Sequence, residues 1–152
     1  MVAVEQGFDI SAGLKIRKAT IDDATALRTY CFPSDTLEET EKQLKSDLER
    51  MESGEMFRLV AEVNGYAIGN IQLEFSKGKR KKVAQIHKLI VTGPFRGSSV
   101  ADRLVDAISE MAKQSGVEII QLEANRADGK IIEKYKSWGF EEKETIILER
   151  KL

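Results

Sequence analysis

The segment IHKLIVTGPFRGSSVADRL (Ile86–Leu104) joins an apolar strand pattern to an amphipathic helix through a short turn rich in glycine and serine. The first N–H groups of a helix have no intrahelical partner, and the helix dipole adds partial positive charge at that end. Such a junction can bind a pyrophosphate without a lysine. An ordinary helix cap would show a similar pattern, because Ser98 and Ser99 are good N-cap residues and Ser99 with Asp102 resembles a capping box.

Hydrophobic periodicity predicts the elements that precede this segment. Leu14–Lys18 alternates apolar and basic residues as a strand does, and Thr20–Asp23 is typical of a capped helix start. Pro33 ends that helix, and a second helix with a narrow apolar stripe is expected from about Thr36. Asn64-Gly65 is a strong signal for a tight hairpin turn, so the strands on either side of it should be antiparallel neighbours. The three strands predicted here are Phe57–Val63, Tyr66–Phe75 and Val83–Val91.

The segment Ile86–Leu104 and the residues that follow it predict a strand–helix–strand crossover. The helix that begins near Val100 has its apolar residues at core spacing and stops at Gly116, and Val117–Leu122 is a β-branched strand. A crossover of this kind is right-handed and makes its two strands parallel. A short helix over Asp128–Ser137 and a closing strand or hairpin over Phe140–Lys151 complete the expected order.

Composition favours one soluble domain over residues 1–152, with an extension at 1–13 and a core at about 14–151. Hydrophobic residues make up 41% and charged residues 32%, and 24 Lys and Arg against 25 Asp and Glu give a net charge of −1. One Cys and one His predict neither an intramolecular disulfide nor a closed zinc site. The chain has no apolar run of about 18 residues and no secretion-like start, so a cytoplasmic protein without a membrane partner is expected.

The order of these elements resembles that of the GCN5-related N-acetyltransferases, the GNAT family. The family's pyrophosphate loop, Gln/Arg-x-x-Gly-x-Gly/Ala, falls on Arg96, Ser99 and Ala101, with Ser99 where the family usually has glycine. The family's closing motif, a tyrosine followed four residues later by Gly-Phe, falls on Tyr135 and Gly139-Phe140. The resemblance covers the whole predicted core. It implies an α+β, three-layer GNAT fold, with a mixed, mostly antiparallel sheet, one parallel strand pair and flanking helices.

The resemblance also implies an activity. An enzyme of this family transfers the acetyl group of acetyl-CoA to a primary amine by direct attack, and the acceptor here would be a small-molecule or peptide amine. Coenzyme A would bind where the strand before the loop separates from its parallel neighbour, and along the loop itself. No metal is expected, and the protein would be a monomer or homodimer. The implied cofactor-binding residues are Leu89, Ile90, Val91, Arg96, Gly97, Ser98, Ser99, Val100, Ala101 and Asn125.

His87, the sole histidine, is implied as the general base. Strand alternation predicts that His87, Leu89 and Val91 share one face, and imidazole exchanges protons near neutral pH, as deprotonation of an amine requires. Gln85, where other members carry glutamate, cannot take a proton. Glu123, at the end of the next strand, is the reserve candidate. The simpler interpretation is a histidine at a half-buried strand edge.

Tyr135 is implied as the general acid that protonates the departing coenzyme A thiolate. Its simpler interpretation is a packing residue beside Ile131 and Ile132 on the short helix.

Two other functions remain open at this stage. A domain of the same fold could bind acyl-CoA without turnover, in a regulatory role. The basic run Lys77–Lys82 could bind nucleic acid, although it has no interleaved aromatic residue for base stacking and occupies an expected hairpin loop, so nucleic acid is the less favoured partner.

Overall fold

The computed structural model describes residues 13–76, 82–97 and 99–152. They fall in two compact units, Met1–Leu122 and Glu123–Leu152. Residues 1–12 of the predicted extension, residues 77–81 of the basic loop and Ser98 lie outside the described residues. The expectation of a single domain over 1–152 stays a prediction. None of the described helices has the length and apolar composition needed to cross a membrane.

Among the described residues of the first unit, a mixed five-stranded sheet forms the centre. Neighbouring strands follow chain order, and every pair is antiparallel except the last, which is parallel. This confirms the predicted mixed sheet with one parallel pair. The strands are β1 (Leu14–Lys18), β2 (Met56–Val63), β3 (Tyr66–Phe75), β4 (Val83–Val91) and β5 (Ile119–Gln121).

The hairpin between β2 and β3 forms where the sequence predicts it. Asn64 and Gly65 have φ of 51° and 86°. Both residues of a type I′ turn need positive φ, which asparagine tolerates and glycine adopts freely, and this turn matches the twist of the flanking strands. The turn therefore sets the pairing that begins with Tyr66 opposite Val63.

Two helices pack on one face of the sheet. A 3₁₀ turn (Ile21–Asp23) leads into α1 (Ala24–Tyr30), and α2 spans Leu37–Glu52. The predicted start of α2 is confirmed by a capping box, in which the Glu39 N–H donates to Thr36 Oγ1 (3.0 Å) and the Thr36 N–H donates to Glu39 Oε1 (2.8 Å). Beneath these helices lies a buried apolar cluster that includes Leu27, Leu44 and Val60.

The predicted crossover helix is α3 (Val100–Gln114), and it packs on the opposite face of the sheet. Its apolar positions Val100, Leu104 and Ile108 are fully buried, and a Cβ at Gly69 of β3 would lie 3.2 Å from Leu104 Cδ1, so glycine leaves room for that side chain. Burial of this stripe stabilises the strand–helix–strand unit, since each such side chain contributes about 1.5–3 kcal/mol.

The second unit contains α4 (Gly129–Ser137), which confirms the predicted short helix. Asp128 caps it, since its Oδ1 accepts a hydrogen bond from the Ile131 N–H (3.3 Å). The closing strand or hairpin expected over Phe140–Lys151 is wrong, because the described residues there form no strand. A β-branched run becomes a strand only where a neighbouring strand pairs with it, and here the apolar residues Ile146–Leu148 are 68–85% exposed.

Candidate active site

A β-bulge interrupts β4 near the start of the Ile86–Leu104 segment. His87 lies opposite Gln72 of β3, but Ile90 lies opposite Asn70, so Lys88 and Leu89 together face the single residue Ile71. Lys88 has φ of 52°, in the left-handed region that residues other than glycine rarely adopt. An extra residue of this kind bends the strand and breaks the alternation of its side chains.

The bulge corrects one prediction about this strand. His87 and Ile90 share the face of the sheet that carries Gln72 and Asn70, whereas Val91 pairs with Gly69 and belongs to the opposite face. The expectation that His87 and Val91 share a face is therefore wrong. Strict alternation would hold only if the strand contained no inserted residue.

His87 is exposed on the face that carries α1 and α2, and its cross-strand neighbour Gln72 is buried. Two residues earlier on the same face, Gln85 donates from Nε2 to Gln121 Oε1 of β5 (2.7 Å). That hydrogen bond spans the last residue pair of the parallel ladder.

The parallel pairing is short. In the described sheet, β5 accompanies β4 only from Val83 to Gln85, so Ile86–Val91 extend beyond it. N–H groups directed at an antiparallel partner recur on every second residue. Because the Thr92 N–H donates to Ile68 O (2.9 Å), the Val91 N–H is directed at the other, open edge of β4. The residues along this edge include Leu89, Ile90 and Val91, which the resemblance implies for coenzyme A binding, and the implied donor to the thioester is a backbone N–H among them.

The predicted pyrophosphate loop follows directly from the open edge. A 3₁₀ turn over Gly93–Phe95 leads to Arg96, whose Nε donates to Val91 O (3.1 Å) and ties the loop back to β4. Gly97 has φ of 82°, a conformation that glycine adopts without strain. Ser99 occupies the N-cap position of α3, and its side chain makes no capping hydrogen bond. Val100 and Ala101 form the first turn of the helix, and Ser98 lies outside the described residues.

The second unit holds the remaining predicted residues. Tyr135 is half-buried on α4, and its ring lies 5.7 Å from the ring of Trp138 and 6.3 Å from that of Phe140. Burial, assisted by the nearby Asp128 carboxylate, raises the pKa of Tyr135 above its ordinary value. The phenol therefore remains protonated at neutral pH, as a proton donor must be.

Asn125 and Glu123 are both exposed. Asn125 Oδ1 accepts a hydrogen bond from the Ala127 N–H (2.9 Å), which orders the turn before α4. Thus His87, the β4 edge and the loop belong to one unit, and Glu123, Asn125 and Tyr135 belong to the other.

Sequence analysis did not identify Asn70, a polar residue beside the bulge. Asn70 is fully buried, and its side-chain Nδ2 donates to Lys88 O (2.9 Å). Its signal was a polar residue in the middle of the apolar strand YAIGNIQLEF. Periodicity assigns such a residue to a face but does not identify its partner.

Comparison with known proteins places this geometry in a family. A model described as an acetyltransferase (GNAT) domain matches residues 22–151. The chain is 30% identical over 138 residues to the N-acetyltransferase YhfO of Bacillus subtilis, covering 85% of this chain and 91% of that protein. It is 36% identical over 90 residues to the N-acetyltransferase MJ1207 of Methanocaldococcus jannaschii, covering 57% of this chain but 40% of that protein.

Solved structures share the fold. The aminoglycoside N-acetyltransferase AAC(6')-Iy in complex with CoA has a TM-score of 0.75 at 19% identity, over 91% of this chain and 94% of that chain. Glucosamine-6-phosphate N-acetyltransferase from Arabidopsis thaliana has a TM-score of 0.71 at 18% identity, over 90% and 97%. Since the family match spans most of the chain and the sheet order agrees with it, the chain belongs to the GNAT family and is an acetyltransferase.

Proposed function

We propose that this acetyltransferase uses acetyl-CoA and transfers its acetyl group to a primary amine by direct attack, without a covalent enzyme intermediate. The observation that carries the proposal is the open edge of β4, which begins where β5 stops pairing at Gln85 and runs into the loop before α3. The open edge and the loop therefore offer donors for a thioester and for a pyrophosphate one after the other along the chain. Two solved neighbours support an amine acceptor, since their names describe acetylation of an aminoglycoside and of glucosamine 6-phosphate.

The residues of the loop fit a pyrophosphate. Gly97 has no side chain to block the approach of a phosphate, and the hydroxyl of Ser99 is not used to cap α3. Arg96 adds a positive charge beside the helix N-terminus, which itself favours anions. We assign Arg96–Ala101 to the pyrophosphate, and Leu89, Ile90 and Val91 to the thioester arm. Asn125 remains a proposed contact from the second unit.

Acetyl-CoA supplies an activated acetyl group as a thioester. The Val91 N–H, directed at the open edge, is suited to donate to the thioester carbonyl oxygen and to stabilise negative charge there. A donor held by the backbone needs no reorganisation during the reaction, which is why such groups lower barriers efficiently.

We assign the proton transfers to two side chains. His87 is exposed, so an acceptor amine can reach its imidazole, and the ring would remove the proton that the amine must lose. Tyr135 would donate a proton to the leaving thiolate, and its raised pKa keeps that proton in place beforehand. Glu123 is the alternative base.

The test is an amine screen with acetyl-CoA, in which release of the free thiol is followed by a thiol-specific dye. Polyamines, amino acids, aminoglycosides and peptides with free N-termini represent the classes of acceptor. We expect thiol release that depends on the amine and saturates with it. The Ser99→Asp variant tests the cofactor site in the same assay. Its carboxylate places an anion against the phosphates and should raise the KM for acetyl-CoA.

Two results would overturn parts of this proposal. If coenzyme A raises the melting temperature but no amine in the screen releases thiol, the chain is a non-catalytic acyl-CoA-binding domain. If millimolar coenzyme A leaves the melting temperature unchanged, the cofactor assignment itself is wrong.

A further inference from the structure

A chain of buried polar side chains crosses the sheet beneath α2. Asp47 of α2, Arg58 of β2 and Asn70 of β3 are each at most 2% exposed. Arg58 Nη1 donates to Asp47 Oδ2 (2.9 Å), and Arg58 Nε donates to Asn70 Oδ1 (2.9 Å). A buried ion pair rarely adds net stability over an apolar pair of the same volume, so its presence here suggests another role.

The ion pair determines which way the Asn70 amide points. A guanidinium has donors but no acceptor, so the Asn70 atom that faces Arg58 has to be the oxygen. The nitrogen, Nδ2, is then directed away from Arg58 and donates to the carbonyl oxygen of Lys88 (2.9 Å). Nδ2 also lies 3.4 Å from Gln72 Oε1, beside the strand position opposite His87.

Lys88 is the residue that forms the bulge. Its φ of 52° is unfavourable for a residue with a Cβ, so a surrounding contact has to hold it. The Asn70 amide supplies that contact at the carbonyl. A second restraint acts on the side chain, because the Phe32 ring centroid lies 5.7 Å from Lys88 Nζ and 5.6 Å from Arg58 Cζ.

The direction of the backbone on either side of the bulge depends on Lys88. His87 precedes it, and Val91, whose N–H is directed at the open edge, follows three residues later. A change in the Lys88 carbonyl would therefore rotate the proposed base and the proposed thioester donor relative to each other.

We infer that Asn70, oriented by Arg58 and Asp47, is a positioning residue for acetyl transfer, because it holds the Lys88 bulge between His87 and the open edge of β4. The inference rests on the proposed function. Asn70 touches neither substrate, and it acts through the backbone of Lys88.

The test compares Asn70→Asp with a matched control. A carboxylate at position 70 keeps the acceptor for Arg58 but has no hydrogen to donate to Lys88 O. We expect kcat to fall about tenfold or more, the scale on which misplaced reacting groups slow an enzyme, while the Kd for coenzyme A stays within about twofold. Hydrogen exchange of the β4 amides should become faster while exchange in α3 stays unchanged.

The control is Leu44→Val, which trims a fully buried side chain of the same helix layer without touching the polar chain. It should lower the melting temperature and leave kcat within about twofold. Asn70→Ser, which also removes the amide donor, repeats the comparison if the carboxylate variant does not fold.

The outcomes separate this inference from the proposed function. If Asn70→Asp keeps the wild-type kcat, or loses no more than Leu44→Val does, Asn70 does not position the reaction. If kcat and coenzyme A binding fall together and exchange accelerates throughout the sheet, Asn70 has a general structural role and the inference is wrong. A wild-type protein that binds coenzyme A but transfers nothing overturns the proposed function together with the catalytic part of this inference, while exchange at β4 still reports whether Asn70 holds the bulge.

Discussion

Removal of the Asp47 carboxylate should strongly destabilise the first unit. Arg58 and Asp47 have side-chain exposures of 3% and 1%, so water screens their charges very little. Burial lowers the pKa of the Arg58 guanidinium, and the Asp47 carboxylate opposes that effect. Asp47→Leu leaves the guanidinium buried without its anion, and the loss of one partner from such a pair costs about 3–5 kcal/mol.

That free energy can be converted to a melting temperature. In a chain of this length, 1 kcal/mol corresponds to roughly 2–4 °C, so Asp47→Leu should melt roughly 6–20 °C lower than wild type. The double variant Asp47→Leu/Arg58→Met removes both charges, and apolar replacements of a whole pair are often neutral or stabilising. We therefore expect the double variant to recover most of the loss.

Urea unfolding followed by circular dichroism, with thermal melts in parallel, measures both variants. Equal destabilisation of the single and double variants would refute the reasoning, because the cost would then come from packing and not from an unpaired charge.

The double variant also separates stability from activity. With Met at position 58 the Asn70 amide loses the donor that orients it, so kcat should stay at least severalfold below wild type although the protein is stable; full kcat would contradict this.

Four further predictions concern individual side chains. Tyr135→Phe keeps the ring contacts with Trp138 and should fold normally, yet kcat should fall roughly 10²-fold; an acyl donor with a more acidic thiol should partly restore the rate, and equal slowing with both donors would assign Tyr135 to cofactor positioning. His87→Ala should lower kcat more than coenzyme A affinity and abolish the acidic limb of the pH–rate profile, and an unchanged profile would make Glu123→Gln the next test for the base. Ser99→Gly should preserve the thermal shift caused by coenzyme A, and a lost shift would show that the serine hydroxyl is needed. Burial by itself would raise the pKa of Asp23, but hydrogen bonds from Arg17 and the Thr20 N–H outweigh it and hold that pKa below its ordinary value; this stabilisation is present at neutral pH and is lost as the pH falls below about 4, so Asp23→Asn should flatten the melting-temperature profile in that acidic range.

Sequence patterns identified the elements whose formation depends on neighbouring residues. Asn64-Gly65 formed the hairpin turn, Thr36 and Glu39 formed the capping box, and the stripe from Val100 to Ile108 became the buried face of α3. Each of these signals works within a few residues, through backbone conformation, a local hydrogen bond or helical spacing. For that reason they could be read without knowledge of the rest of the fold.

Tertiary structure decided the geometry of the candidate site. The bulge at Lys88 arises from the register between β3 and β4 and from the Asn70 amide 18 residues away in the chain, so a pattern within β4 alone placed Val91 on the wrong face. The apolar run Ile146–Leu148 could form a strand, yet no strand forms there in the described chain, because a strand also requires a partner. Local propensity and hydrophobic periodicity predicted the five strands, the main helices and their order, and the motifs at Arg96–Ala101 and Tyr135–Phe140 predicted the family. Tertiary contacts produce the three features that shape the candidate site: the bulge, the open edge of β4 and the buried Asp47–Arg58–Asn70 chain. Each depends on residues that are distant in sequence, so no local pattern could predict it.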